Sequence, residues 1–245
     1  MYGYFLSLML LPYVCAPPGE VIPYPDNSLD LEQYRRIGVP AVDAPWTATD
    51  YQTAFRILDQ LHAEDKTALP RADSPHSGQL FARMTQLEHF LASENIGRQL
   101  LQLHTARPLA ERMRLYYAEP TLPHERFGRE VLQLLVFEFQ IVSEIQQTTQ
   151  SLLRELPAER QTDVPRPRPS ENADMLGALL LVLEDDHQRF PEAALSDFLN
   201  QLYFVLPEYL DVAQREEVHQ RLIFLENRFP YPTGRALIAE LRGAL

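Results

Sequence analysis

The sequence predicts an all-α protein, a multi-helix bundle of about seven to nine helices with an extended, Pro-rich N-terminal arm. Three observations predict it. From Trp46 onward, apolar residues recur at three- and four-residue spacing, and a capping residue stands where most runs begin. No segment alternates apolar and polar residues over a useful strand length, and glycine is scarce at nine in 245 residues. The connectors are short enough for neighbouring helices to pack antiparallel.

Residues 1–45 read as an apolar segment and arm. The first 34 residues contain no Lys or Arg, and Tyr2 to Ala16 is apolar, with Val14-Cys15-Ala16 offering the small residue a signal peptidase takes. Against export, no basic side chain precedes the apolar stretch, and Pro17 would follow the cut. Tyr13 and Val14 stand before Cys15 where a lipoprotein signal has small residues. A spanning helix needs about 20 residues, and Pro12 interrupts this shorter segment. The favoured expectation is a segment packed on the helical body of a cytoplasmic protein, with export or membrane association as the alternative. Pro17, Pro18, Pro23, Pro25 and Pro40 keep residues 17–45 out of long helices.

Residues 46–245 read as one helical domain. Thr47 or Thr49 starts a helix with Tyr51, Phe55, Leu58 and Leu61 on one face. Ser77 precedes a segment bearing Leu80, Phe81, Met84, Leu87 and Leu91; Ser93 with Glu94 restarts it through Leu103. Pro108 is placed in the first turn of another helix, before Leu109, Met113, Tyr116 and Tyr117. The helix from about Pro123 to Leu156 is apolar on nearly every side, which predicts a central helix surrounded by others. The Pro- and Arg-containing linker at 157–170 is the one sub-boundary the sequence offers. Further helices are expected near 171–189, 191–205, 211–228 and 233–244, with Pro191 and Pro207 in first turns and Asp211 and Thr233 as N-caps.

Composition excludes several functions. A formal charge of −12 argues against nonspecific nucleic-acid binding and against adhesion to anionic membranes, both of which rest on basic patches. Cys15 is the only cysteine, so no intramolecular disulfide or Cys-rich metal site forms. Lys66 is the only lysine, and beside Glu64 and Asp65 it reads as a solvated charge, not a Schiff-base former. No P-loop, dinucleotide fingerprint or zincin motif occurs.

Charge is unevenly distributed. Residues 171–226 hold twelve acids and three bases, a net of −9, whereas residues 46–130 hold eleven acids and ten bases, a net of −1. The acidic C-terminal half therefore suits a basic protein partner, with Glu184, Asp185, Asp186, Glu216 and Glu217 as candidate contacts. Arg107, Arg112 and Tyr116, with Arg114 and Tyr117, form a second candidate cluster, because arginine and tyrosine are enriched in binding hot spots. The competing expectation is that these arginines pair with the protein's own acids, and that the acidic residues are the solvated sides of amphipathic helices.

Two Glu-x-x-His pairs, Glu184 with His187 and Glu216 with His219, have the spacing used in carboxylate-bridged di-metal bundles. Glu138, between Phe137 and Phe139, is the further carboxylate such a site needs, with Glu130 a weaker second. The order of the pieces opposes it, since both pairs fall in the last third of the chain. Glu138 is instead expected to pair with an arginine or to lie at a helix contact. The connector from Leu69 to Gly78 gathers Arg71, Asp73, Ser74, His76 and Ser77, which turns and helix capping explain. The expectation is a non-catalytic helical protein-binding module of the immunity, adaptor or accessory-subunit type, with no cofactor and no metal. A di-iron or di-manganese bundle enzyme is the alternative.

Overall fold

The computed structural model describes residues 26–245 apart from Ala92, residues 119–123, Pro165 and Pro169. The expectations for Tyr2 to Ala16 and for the Pro-rich stretch up to Pro25 lie outside the described residues. Every regular element in those residues is helical: α1 (Leu31–Arg36), α2 (Ala48–Glu64), α3 (Gly78–Met84), α4 (Glu88–Leu91), α5 (Ile96–Tyr117), α6 (His124–Glu155), α7 (Ser170–Leu181), α8 (Glu192–Tyr209), α9 (Val212–Glu226) and α10 (Pro232–Ala244).

The 32-residue α6 organises the bundle, as its all-round apolar pattern predicts. Val131, Leu134, Phe137, Ile141 and Ile145 recur at three- and four-residue steps and enter one core, together with Phe55 and Leu58 of α2, Phe81 of α3 and Leu103 and Met113 of α5. Leu132, Leu135, Val136 and Phe139 point to the other side and enter a second core with Leu180 of α7, Phe198 and Leu202 of α8, Leu222 of α9 and Ile238 of α10. Each fully buried Leu or Phe contributes about 1.5–3 kcal/mol relative to exposure. Both halves of the chain thus bury their apolar faces on one helix.

The arm is not extended throughout. Asp30 and Gln33 form a reciprocal capping box that starts α1. Tyr34, 1% exposed, then plugs into the first core and donates its hydroxyl to the Ala68 carbonyl at 2.5 Å. Gly38 supplies the φ of 101° needed to turn the chain away, a value any residue with a Cβ adopts only with strain. Trp46 is buried, its indole N–H donates to the Ala41 carbonyl at 2.9 Å, and its ring meets Tyr51 edge-on at 5.1 Å. It pins residues 41–46 to α2.

Several element boundaries differ from the sequence expectation. Pro108 stands inside α5 and does not open a new helix. Its missing N–H leaves only the carbonyl of exposed His104, while buried Leu103, Ala106, Ala110 and Met113 anchor the helix on either side. Pro207 likewise lies in the last turn of α8, where Arg215 donates to its carbonyl. Asn95, and not Ser93 or Glu94, caps α5 by accepting from the Arg98 N–H at 3.0 Å. The last helix begins one residue early, after Tyr231, because Pro232 occupies its first turn without giving up a hydrogen bond. Thr47 and Asp211 cap α2 and α9 as expected, each with a reciprocal side chain three residues on. The helix expected near 171–189 is α7 followed by a π-helical turn at Val182–Asp186 and a 3-10 turn at His187–Arg189.

Candidate functional site

The connector between α2 and α3 is held in place by a network of polar contacts. Ser77 occupies the N-cap position of α3, yet its hydroxyl does not cap the helix. It accepts from the Arg71 N–H at 2.9 Å and donates to Ser28 Oγ at 2.9 Å. Ser74 accepts from the N–H groups of His76 and Ser77 and donates to the Asp26 carboxylate. Hydrogen bonds from Ser28 and Ser74, with the Arg71 charge, hold the Asp26 carboxyl below its usual range, although burial acts as the largest single influence in the opposite direction. Residues 26–28 are thereby stitched to the connector.

Beneath that connector lies Glu130 of α6, fully buried at 0% exposure. Oε1 accepts the Ala72 N–H at 2.7 Å, while Oε2 has no hydrogen-bond partner among the described residues. Burial pushes its carboxyl up to about 7; Asp73 adds to the rise, and the Ala72 N–H and the Arg71 charge act against it. Tyr117 of α5, also fully buried, donates to the Pro70 carbonyl at 2.6 Å and fixes the other end of the same turn. Arg129 reaches outward to Asp73 at 3.8 Å and to Asp197 of α8 at 2.7 Å.

Ala72 and Gly78 form one wall of an open cleft of about 400 Å³. Gly78 fits because a Cβ there would stand 3.1 Å from the Ala72 carbonyl oxygen. The remaining lining includes Gln133, Phe137 and Gln140 of α6, Gln86 after α3 and Gln201 of α8. Each glutamine amide offers both donors and an acceptor, so the cleft is polar and largely uncharged. No nucleophile paired with a base occurs among these lining residues.

The other sequence candidates fall elsewhere. Glu138, 5% exposed, accepts from Arg114 Nε at 2.8 Å, the arginine pairing its sequence context suggested. Burial raises its carboxyl above the usual range, and Arg114 opposes that rise. Arg107 pairs with Glu171, and Arg112 pairs with Asp59 at 2.9 Å while its guanidinium lies 5.8 Å from the Phe55 ring centre. Tyr116 is buried and stacks on His62 at 4.2 Å, and Tyr117 is enclosed. Arg107, Arg112 and Arg114 are therefore engaged with the protein's own carboxylates.

In the acidic half, Glu184 sits in the π-helical turn and takes a two-pronged hydrogen bond from Arg221 of α9, both contacts 2.7 Å. Asp186 pairs with Arg189 at 3.5 Å, whereas Asp185 and Glu216 are exposed. Glu217, also exposed, lies 3.8 Å from Arg221. His187 points Nδ1 at the Leu183 carbonyl, 3.1 Å away, with its ring against Phe229. Among the described residues, no group of three or more His, Cys, Asp or Glu side chains stands together in a way that could hold a metal ion. Nor is any described helix long and apolar enough to cross a membrane.

What the sequence reading missed is the outer side of the C-terminal helices. Tyr203 and Phe204 of α8 are 40% and 72% exposed and meet edge to face at 5.1 Å. Phe224 of α9 is 56% exposed, with the Arg228 guanidinium 3.7 Å from its ring centre. The signal was present in the periodicity: Leu195, Phe198, Leu199, Leu202, Val205 and Leu206 define the buried face of α8, and Tyr203 and Phe204 fall outside it.

Fold and site together define an all-α bundle with one doubly packed central helix, a glutamine-lined cleft and an acidic C-terminal half with exposed aromatics. Comparison with protein-family models, with curated proteins and with solved structures found no match.

Proposed function

We propose that the protein is a non-catalytic binding module whose docking face lies on α8 and α9 and whose partner is a basic protein. The observation that carries this reading is the exposed Tyr203–Phe204 pair within a segment of net charge −9. Large aromatic side chains on a surface lose little conformational entropy on docking and supply most of the affinity in many interfaces. The acids of the same segment, exposed Asp185, Glu216 and Glu217 among them, give it a field that speeds encounter with a positively charged partner and disfavours acidic ones. Arg107, Arg112 and Tyr116 contribute less to this reading, because their polar and aromatic groups are already engaged within the protein.

The test is quantitative affinity capture with wild type, Phe204→Glu and Phe224→Glu at two salt concentrations. A stoichiometric complex with one basic protein is expected, weakened by added salt and lost in Phe204→Glu while its circular dichroism stays unchanged. A complex that survives both substitutions moves the docking face elsewhere. Failure to recover any stoichiometric protein complex removes the reading.

A further inference from the structure

We propose that Glu130 is a proton-operated latch: protonated, it holds the Leu69–Gly78 connector shut as the wall of the glutamine-lined cleft, and on losing its proton it lets that wall open. Glu130 has no exposure, its first carboxyl oxygen accepts the Ala72 N–H of the connector, and its second oxygen has no hydrogen-bond partner among the described residues. A neutral carboxyl tolerates one unmatched oxygen at modest cost, whereas a buried carboxylate needs its charge compensated.

The surroundings offer incomplete compensation. From the connector, Arg71 favours the charged form and Asp73 opposes it. Arg71 is itself held against Asp73 at 3.0 Å. From α5, Tyr117 is directed to the Pro70 carbonyl and so does not serve Glu130 as a donor. On α6 the neighbouring Arg129 is held by Asp197 of α8 at 2.7 Å and lies 3.8 Å from Asp73 of the connector. Ionised Glu130 gains most by admitting water or by attracting Arg71 from Asp73, and either movement displaces residues 71–73. Ala72 belongs to the cleft wall, and Gly78 lies close against its carbonyl, so a displaced connector widens the cleft. Ser28 and Asp26, bound to Ser74 and Ser77, travel with it.

A local opening that exposes Glu130 lets it recover its ordinary acidity. With 4.5 in the open state and about 7 in the closed one, the opening equilibrium increases about tenfold per pH unit between those values and levels off above them. Hydrogen exchange of the connector amides across pH 4.5 to 8.5, corrected for intrinsic exchange rates, reads this directly. The expected result is that slope at Ala72 and Gly78 in wild type and its loss in Glu130→Gln, which keeps the acceptor for the Ala72 N–H without an ionisable proton. A pH-independent opening in wild type, or the same slope in Glu130→Gln, overturns the latch. Carboxyl carbon-13 titration of wild-type Glu130 decides the matter if the variant does not fold: a midpoint near 7 supports it, and an ordinary carboxylate midpoint overturns it.

Discussion

Replacing Arg114 with Met should destabilise the protein by about 3–5 kcal/mol at pH 7.5, because it strands a buried carboxylate in the centre of the bundle. Arg114 and Glu138 stand 2.8 Å apart with side chains 16% and 6% exposed. At that distance, an effective dielectric constant of about 20 gives roughly 6 kcal/mol of attraction, and the cost of removing two charges from water offsets a large part of it. Losing the arginine removes the attraction but leaves the desolvation cost of Glu138 in place. The sign of the pH dependence follows from the carboxyl's raised folded-state pKa, caused first by burial. Without Arg114 that value rises further, so protonation relieves the variant as pH falls towards the unfolded carboxyl's ordinary range. Urea denaturation at pH 7.5 and pH 5 should therefore show a deficit that shrinks on acidification. The double variant Arg114→Met with Glu138→Leu should recover most of the loss at both pH values. A deficit under 1 kcal/mol at pH 7.5, or one of equal size at both pH values, refutes the assignment of Glu138 as a carboxylate that depends on Arg114.

Gly234→Ala should cost about 1–3 kcal/mol by overpacking, since an added Cβ would collide with the buried Phe229 ring; thermal melts of this variant and of Gly243→Ala, where nothing lies within 4 Å, make the comparison. Asp211→Ala removes the acceptor for the Gln214 N–H at 2.8 Å and should lower stability by about 1 kcal/mol, measured by denaturant titration.

Much of the fold was legible because periodicity reports which faces are buried. The all-round apolar pattern of residues 131–145 predicts a helix packed on both sides, and two cores meet there. Thr47 and Asp211 announce helix starts through chemistry confined to four residues. Pro108 and Pro207 mislead for a physical reason: a proline inside a helix costs one hydrogen bond, and tertiary packing of the flanking residues outweighs that local penalty. Glu130 was legible as a carboxylate in an apolar helix, but its partner is the backbone of Ala72, 58 positions away, and no side-chain pattern encodes that contact. The pairing of Glu184 with Arg221 across 37 positions is hidden for the same reason, and it turned a suspected ligand into half of an ion pair.

The shared helix α6 has a consequence for how the sequence can change. A helix on the outside of a bundle presents one face to its neighbours and keeps the other free to vary, so about half its positions tolerate almost any polar residue. Here residues one or two positions apart, such as Val131 and Leu132 or Phe137 and Phe139, belong to different cores, and a change of volume at one displaces the helix against the other. Repacking either half must therefore satisfy the geometry of both. The middle of the chain has the narrowest choice of residues, and variation is left to the connectors and the outer helices.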